Sequence, residues 1–293
     1  WAVSGMKVLT TGFTGGIQVQ KLPETWTMSN AWEKGFRTWQ RMNNEALEEA
    51  ESVRPKFLDF KIYADAQHHN DGYAGNLLPA TFAQLPGAAL TAEVAVPGEW
   101  ESSKFAVPVA AGAVEGAVNE REIIAVGGNY PGVSPATGLN AVSLIQGYSN
   151  SRALPNIADP NVPDDINDAS NNTPENWITA VSNDGTEQDA IVLSDMENEN
   201  NIAPYPFEND GVNLVTMYPG GATQLNGLQV HDYTFITTTT VGGHTRLNGG
   251  MFPCGLIKIN AQNSGSVSAN LVFQIDLVPG NHRGYLCEPM TEM

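Results

Sequence analysis

Between residues 28 and 52 apolar side chains recur at three- and four-residue steps, so that Trp32, Phe36, Trp39, Ala46, Leu47 and Ala50 share one stripe. Glu33, Arg37, Arg41, Glu45 and Glu48 fall mainly on the other side. The spacing predicts a helix with an aromatic inner face, capped by Ser29 or Asn30 and closed by Arg54-Pro55, with Glu33 and Arg37 spaced to pair. Directly after it the period drops to two. In KFLDFKIYAD, Leu58, Phe60 and Ile62 point one way and Asp59, Lys61 and Tyr63 the other, which predicts a half-buried strand. Further strands are predicted over 3–10, 17–21, 91–96, 123–126, 190–193, 212–217, 228–240, 253–260 and 269–278. The last has the cleanest pattern: Leu271, Phe273, Ile275 and Leu277 share a face and Pro279-Gly280 ends the run, as in a central strand.

Strands therefore outnumber helices. Asn-Asp-Gly stands at 70–72, 183–185 and 209–211, and that tripeptide takes the positive φ angles of tight turns. Residues 154–176 turn to Pro, Asp and Asn with few apolar anchors, which reads as a long surface excursion. Neither half of the chain alone has a complete strand pattern, so residues 1–293 are expected to form a single domain with long loops. Regular βα alternation is absent, which argues against Rossmann and barrel α/β folds. The expected class is all-β: an antiparallel two-sheet sandwich of the jelly-roll type, with one long helix and a few short ones inserted.

Composition sharpens this picture. Of 293 residues 41% are hydrophobic and 16% charged, enough apolar content for a core and too little charge for a disordered chain. The net charge of −18 opposes contact with phosphate backbones, since nucleic-acid binding usually rests on Lys and Arg. No stretch reaches the roughly 18 apolar residues of a membrane-spanning helix, and no membrane partner is expected. The sequence begins with Trp1 and no leader, which leads us to expect further residues upstream, a basic arm among the possibilities. Cys254 and Cys287, the only cysteines, lack zinc-site spacing and are expected to be free thiols.

Candidate chemistry is sparse. There is no phosphate loop, dinucleotide fingerprint, zinc-protease helix or nucleophile elbow, so no enzymatic activity, catalytic residue or cofactor is assigned. His68, His69 and Asp71, with Asp65 before them, place metal-ligating side chains close together at a strand end, but neighbours on a strand face opposite ways. An exposed polar loop is the simpler reading, and no metal site is assigned. The Asp- and Asn-rich run over 159–172 lacks the central Gly and closing Glu of a calcium-binding loop. Arg246, between Gly242-Gly243-His244 and Gly249-Gly250, reads as part of a turn. Glu45, Glu48, Glu49 and Glu51 crowd the C-terminal end of the predicted helix, where the macrodipole is already negative. Either that turn is solvated or a cation or basic group from a neighbouring subunit faces it.

The strings MSNAWEKGFRTWQRMNNEA and PKFLDFKIYAD, followed near the end by GGMFPCGLIKI and ANLVFQIDLVPGNHRGYLCEPM, resemble capsid proteins of small icosahedral viruses. The environmental circular single-stranded DNA viruses and their tombus-like relatives are the nearest in kind. The resemblance covers both ends of the chain and little of the acidic middle. It implies a jelly-roll subunit that packs with copies of itself into a closed shell in the virion, with a basic N-terminal arm facing the viral nucleic acid. The net charge of −18 leads us to expect that divalent cations at acidic subunit contacts supply the rest of the balance. Arg283 and Tyr285, and Trp32, Phe36 and Trp39, are then the first places to look for contacts, although the helix aromatics suit an intramolecular core better. The rival expectation is an extracellular carbohydrate-binding sandwich with Trp100 and Trp177 as stacking platforms.

Overall fold

A computed structural model of the chain describes residues 1–10, 12–48, 52, 60–77, 102–108, 118–130, 141–152, 220–221, 227–237, 239, 244–265, 269 and 271–279. In chain order its elements are β1 (Ala2–Thr10), β2 (Gly15–Lys21), α1 (Trp26–Ala46), α2 (Ala66–Asp71), β3 (Lys104–Pro108), β4 (Val118–Ile124), β5 (Ala141–Ser143), α3 (Leu144–Arg152), β6 (Gln229–Ile236), β7 (His244–Met251), β8 (Lys258–Asn263) and β9 (Leu271–Leu277). The described chain is thus mostly β, in three small sheets, with few helices. It divides into two compact units, one of Trp1–Leu22, Ala74–Trp100 and Leu228–Met293, the other of Pro23–Tyr73 and Glu101–Gly227.

The first unit holds two three-stranded antiparallel sheets, β7-β1-β9 and β6-β2-β8. Residues of both enter one hydrophobic cluster: Met6 and Val8 of β1, Ile17 and Val19 of β2, Ile236 of β6, Leu247 of β7 and the connecting Phe13 and Phe252. Half-buried Ile259, Phe273 and Ile275 close its sides. Strict alternation would put Val3 and Met6 on opposite faces, yet both are buried. A shift in the pairing of β1 with β9 between Val3 and Gly5 explains this, because one extra residue flips the side-chain phase. Consecutive strands cross between these two sheets four times, β1 to β2, β6 to β7, β7 to β8 and β8 to β9, and in all but the β7-β8 step the two strands occupy matching places in their sheets.

In the second unit β3 runs antiparallel to β4, and β5 lies parallel to β4. An extended segment over 60–65 flanks them: Tyr63 bridges Ile124, its N–H donates to the Ile123 carbonyl at 2.9 Å, and its own carbonyl accepts from Ala125 at 2.9 Å. Ile62, Tyr63, Ala64 and Asp65 are all buried, so this segment is covered on both faces rather than half-buried as alternation predicts. The helix α1 starts and ends earlier than expected. Thr25 caps it by accepting from the Met28 N–H at 3.3 Å, and no basic side chain in the last turn offsets Glu45 against the helix dipole. Its buried residues are Thr27, Met28, Ala31, Gly35 and Trp39. Trp39 belongs to the predicted stripe, but before it the buried line runs one step round from Trp32 and Phe36, because α3 packs closely enough that a Cβ on Gly35 would strike Leu144. Trp32 and Phe36 lie half-buried beside that line.

Other expectations shift too. The strand over 228–240 is Gln229–Ile236, and that over 123–126 begins upstream, at Val118. The run over 253–260 opens with a 3-10 turn, Pro253–Gly255, before β8. The Gly-rich segment around Arg246 is not a turn but strand β7, paired with β1. Its glycines give room: a Cβ on Gly249 would press into the Val3–Ser4 backbone, and one on Gly250 would lie 2.7 Å from the His231 ring. Among the described strands β1, β2 and β4 are the central ones, and β9, expected to be central, has β1 as its only partner. Asn70-Asp71-Gly72 closes α2, with Gly72 at φ 68 and its N–H on the His68 carbonyl. The strands expected over 91–96, 190–193 and 212–217, and the turns at 183–185 and 209–211, lie outside the described residues.

Candidate functional site

The richest polar cluster stands where α2 meets the segment over 60–65 and β4. Asp65 caps α2, its Oδ1 accepting from the His68 N–H at 2.8 Å. The His68 Nδ1 accepts from the Ala64 N–H at 3.0 Å, so that nitrogen carries a lone pair turned to the backbone. His69 Nε2 lies 2.5 Å from Glu122 Oε2, and the Ser102 hydroxyl donates to Glu122 Oε1 at 2.6 Å. Around them Tyr63 and Tyr73 stack at 4.6 Å, the two imidazoles meet Tyr63 edge-on at 5.1 Å each, and Tyr130 lies 5.7 Å from His69.

The electrostatics follow from this packing. The His69 hydrogen bond holds the Glu122 carboxyl below the usual glutamate range against the opposing effect of burial, with help from Ser102 and Lys104. Burial pushes the Tyr63 and Tyr73 phenols up, and the Glu122 charge pushes both further. His69 Nδ1 is buried and has no hydrogen-bond partner among the described residues.

This geometry does not assemble a nucleophile. In a Ser-His-acid triad the hydroxyl faces the imidazole, whereas Ser102 gives its proton to Glu122, leaving no base at its oxygen. Nor does it gather metal ligands. Histidines adjacent on a helix diverge by about 100°, Asp65 and His68 are engaged with backbone N–H groups, and no group of three His, Cys, Asp or Glu suited to a metal occurs among the described residues. The expected polar loop at a strand end is instead a capped helical turn fastened to β4.

A surface groove of about 400 Å³ lies over Gly5, between Lys7, Arg246, Asn248 and Asp276. Asp276, 3.6 Å from Lys7, offsets part of its charge. Of the acidic crowd, Glu45 pairs with Arg41 at 3.0 Å and Glu48 is exposed, while Glu49 and Glu51 lie outside the described residues. Trp32, Phe36 and Trp39 meet Phe60 at ring separations of 5.3–6.2 Å, an intramolecular cluster as the helix pattern suggested. Cys254 is exposed, at φ 55, and forms no disulfide among the described residues. Cys287, Arg283, Tyr285, Trp100, Trp177 and the loop over 159–172 lie outside the described residues.

Sequence reasoning passed over Tyr73, just after α2, and over Ser102, Glu122 and Tyr130, which reach the cluster from distant segments. It also passed over Tyr233 and Phe235 on β6, whose rings are 59% and 63% exposed. Their signal was legible: aromatic residues two apart on a strand share a face, here the one opposite Ile236. Comparison with known proteins finds no matching family model, no similar curated protein and no similar solved structure. No described helix is long and apolar enough to cross a membrane.

Proposed function

We propose that this chain is the structural subunit of an icosahedral viral capsid: a jelly roll that tiles with copies of itself around a genome and performs no covalent chemistry. The observation that carries the reading is the repeated sheet change. Four consecutive strand pairs cross between two sheets that share one core, and three of the four join strands in matching places, as a ribbon rolled around a core does. The eight-stranded roll has four strands in each sheet, against three in each among the described residues. On this reading both compact units belong to one shell subunit, a basic arm upstream of Trp1 meets the nucleic acid, and divalent cations at acidic contacts offset the charge of −18 per copy.

The test is assembly. Purified protein examined by light scattering and negative-stain microscopy over a range of concentration and salt is expected to yield closed particles of uniform diameter. Chelator at low ionic strength is expected to loosen them, because like charges then face one another unscreened. A protein that stays monomeric under every condition overturns the proposal. Particles whose size and melting temperature ignore the chelator overturn its cation part alone.

A further inference from the structure

The outer face of the β6-β2-β8 sheet carries an ordered set of side chains that neither the core nor the polar cluster uses. The register aligns Phe235, Gly16 and Gln262 in one row and Tyr233, Gln18 and Asn260 in the next. Ile17, between the rows, is wholly buried on the opposite face. The Phe235 ring overlies Gly16, where a Cβ would stand 3.3 Å from it, and meets Tyr233 edge to face at 5.3 Å. Beside the rings three amides form a chain. Asn260 Nδ2 donates to Gln20 Oε1 at 3.1 Å, and Gln20 Nε2 donates to Gln18 Oε1 at 3.2 Å. The chain has a direction: through the buried Gln20 it runs from Asn260, whose Oδ1 is the acceptor end, to Gln18, whose amide protons are the donor end.

The chemistry of this face selects its ligand. In a chain of net charge −18 the two rows contain no acidic or basic side chain; Lys258 stands in the following row opposite Gln20, and the nearby Asp232 carboxylate spends its two oxygens on the N–H groups of Tyr233 and Asn248. An anion therefore finds no cation in the rows, and a metal finds no carboxylate or imidazole. A second copy of the chain needs about 800 Å² on each partner, whereas two rows across three strands offer roughly 200 Å² at ordinary strand spacing. What fits is a small neutral ligand with an apolar C–H face for a ring and hydroxyl groups for amides. We infer that the Tyr233–Phe235 face is a binding site for neutral saccharides, one or two pyranose rings wide. The inference does not depend on the capsid reading.

The experiment is saturation-transfer NMR and titration calorimetry of the full chain with cellotetraose, maltotetraose and lacto-N-tetraose as neutral probes and 3′-sialyllactose as an anionic one. At least one neutral probe is expected to bind in the millimolar range or tighter, and more strongly than the anionic one. Tyr233→Ala and Phe235→Ala are each expected to weaken that binding about tenfold through loss of ring contact. Tyr233→Trp retains it, and Gln18→Leu weakens it about fivefold through loss of the donor. All four variants, at three positions, are first checked for an unchanged melting temperature. The inference is overturned if no neutral probe binds, if binding survives the Tyr233→Ala, Phe235→Ala double substitution, or if these substitutions abolish self-association and leave sugar binding untouched. Sugar binding by a protein that never forms particles leaves this inference standing and removes the capsid proposal.

Discussion

The two compact units bury different chemistry. The first closes its cluster with Met6, Val8, Ile17, Val19 and Phe252, places Lys7, Gln18 and Asn260 on outward rows, and of its described polar side chains buries Thr10, Gln20 and Lys21. The second buries Arg121, Asp65, Ser103 and Ser143 alongside Ile123, Ile124 and Phe105, and fastens α2 to β4 through His69 and Glu122. Apolar burial is non-directional and forgiving of small shifts, whereas each buried polar group needs its own partner in place. The first unit should therefore lose stability in proportion to volume removed, and the second in proportion to partners removed.

The largest effect is expected at Phe252, which is wholly buried where the first unit's core closes. Phe252→Ala should cost about 3–5 kcal/mol, transfer and cavity terms together. Hydrogen exchange read strand by strand sharpens the comparison. If β1, β2 and β7 lose protection while β4 keeps it, the units unfold separately; equal loss in both means that they melt as one.

In the second unit the corresponding substitution is Glu122→Ala. It strands the Ser102 hydroxyl and His69 Nε2 without removing apolar area, and should cost about 2 kcal/mol at neutral pH. Because the folded carboxyl titrates below its ordinary value, the unfolded chain takes up the proton first. Its contribution is complete above about pH 4.3 and is lost as pH falls through the lowered folded value. Wild type and variant should therefore converge in acid. At the other end Tyr63 and Tyr73 titrate above the ordinary phenol value when folded, so their contribution is complete below about pH 10 and is lost as pH rises further. Melting curves across pH check both limbs, and a core substitution such as Phe252→Ala should shift the whole profile without changing its shape.

The same contrast decides what could be read in advance. Strands β1, β2 and β9 announced themselves because Val8, Ile17, Val19, Phe273 and Ile275 alternate with polar residues, a pattern that one-sided burial imposes on any sequence. Strand β7 did not. HTRLNGGM has one large inward residue, Leu247, and its glycines answer to the nearness of β1 and His231, which the sequence does not display. The buried line of α1 ahead of Trp39 was misplaced by one step for a similar reason, since Gly35 matters only once Leu144 stands against it. Of the polar cluster, Asp65, His68 and His69 were visible as neighbours in sequence. Ser102, Glu122 and Tyr130 were not, because the pairing that gathers them is long-range. Tyr63 seemed half-exposed by alternation and is buried because β4 and α2 cover it from both sides.

The smallest expected effect lies on the outer face of α1, and it tests whether the second unit depends on ion pairs in general or only on buried ones. Arg37 Nε meets Glu33 Oε1 at 2.6 Å one helical turn away, but the side chains are 75% and 48% exposed. Water and salt compete for both groups, and holding two long side chains in register costs entropy. Glu33→Ala should therefore destabilise by only about 0.3–0.5 kcal/mol, a loss that shrinks as salt is raised. The Glu122 loss, shielded by Tyr63, Tyr73 and Tyr130, should change little over the same range of salt. Equal salt sensitivity at the two sites would mean that solvent reaches Glu122 as freely as it reaches Glu33. The distinction between a volume-limited unit and a partner-limited one would then fail at its sharpest point.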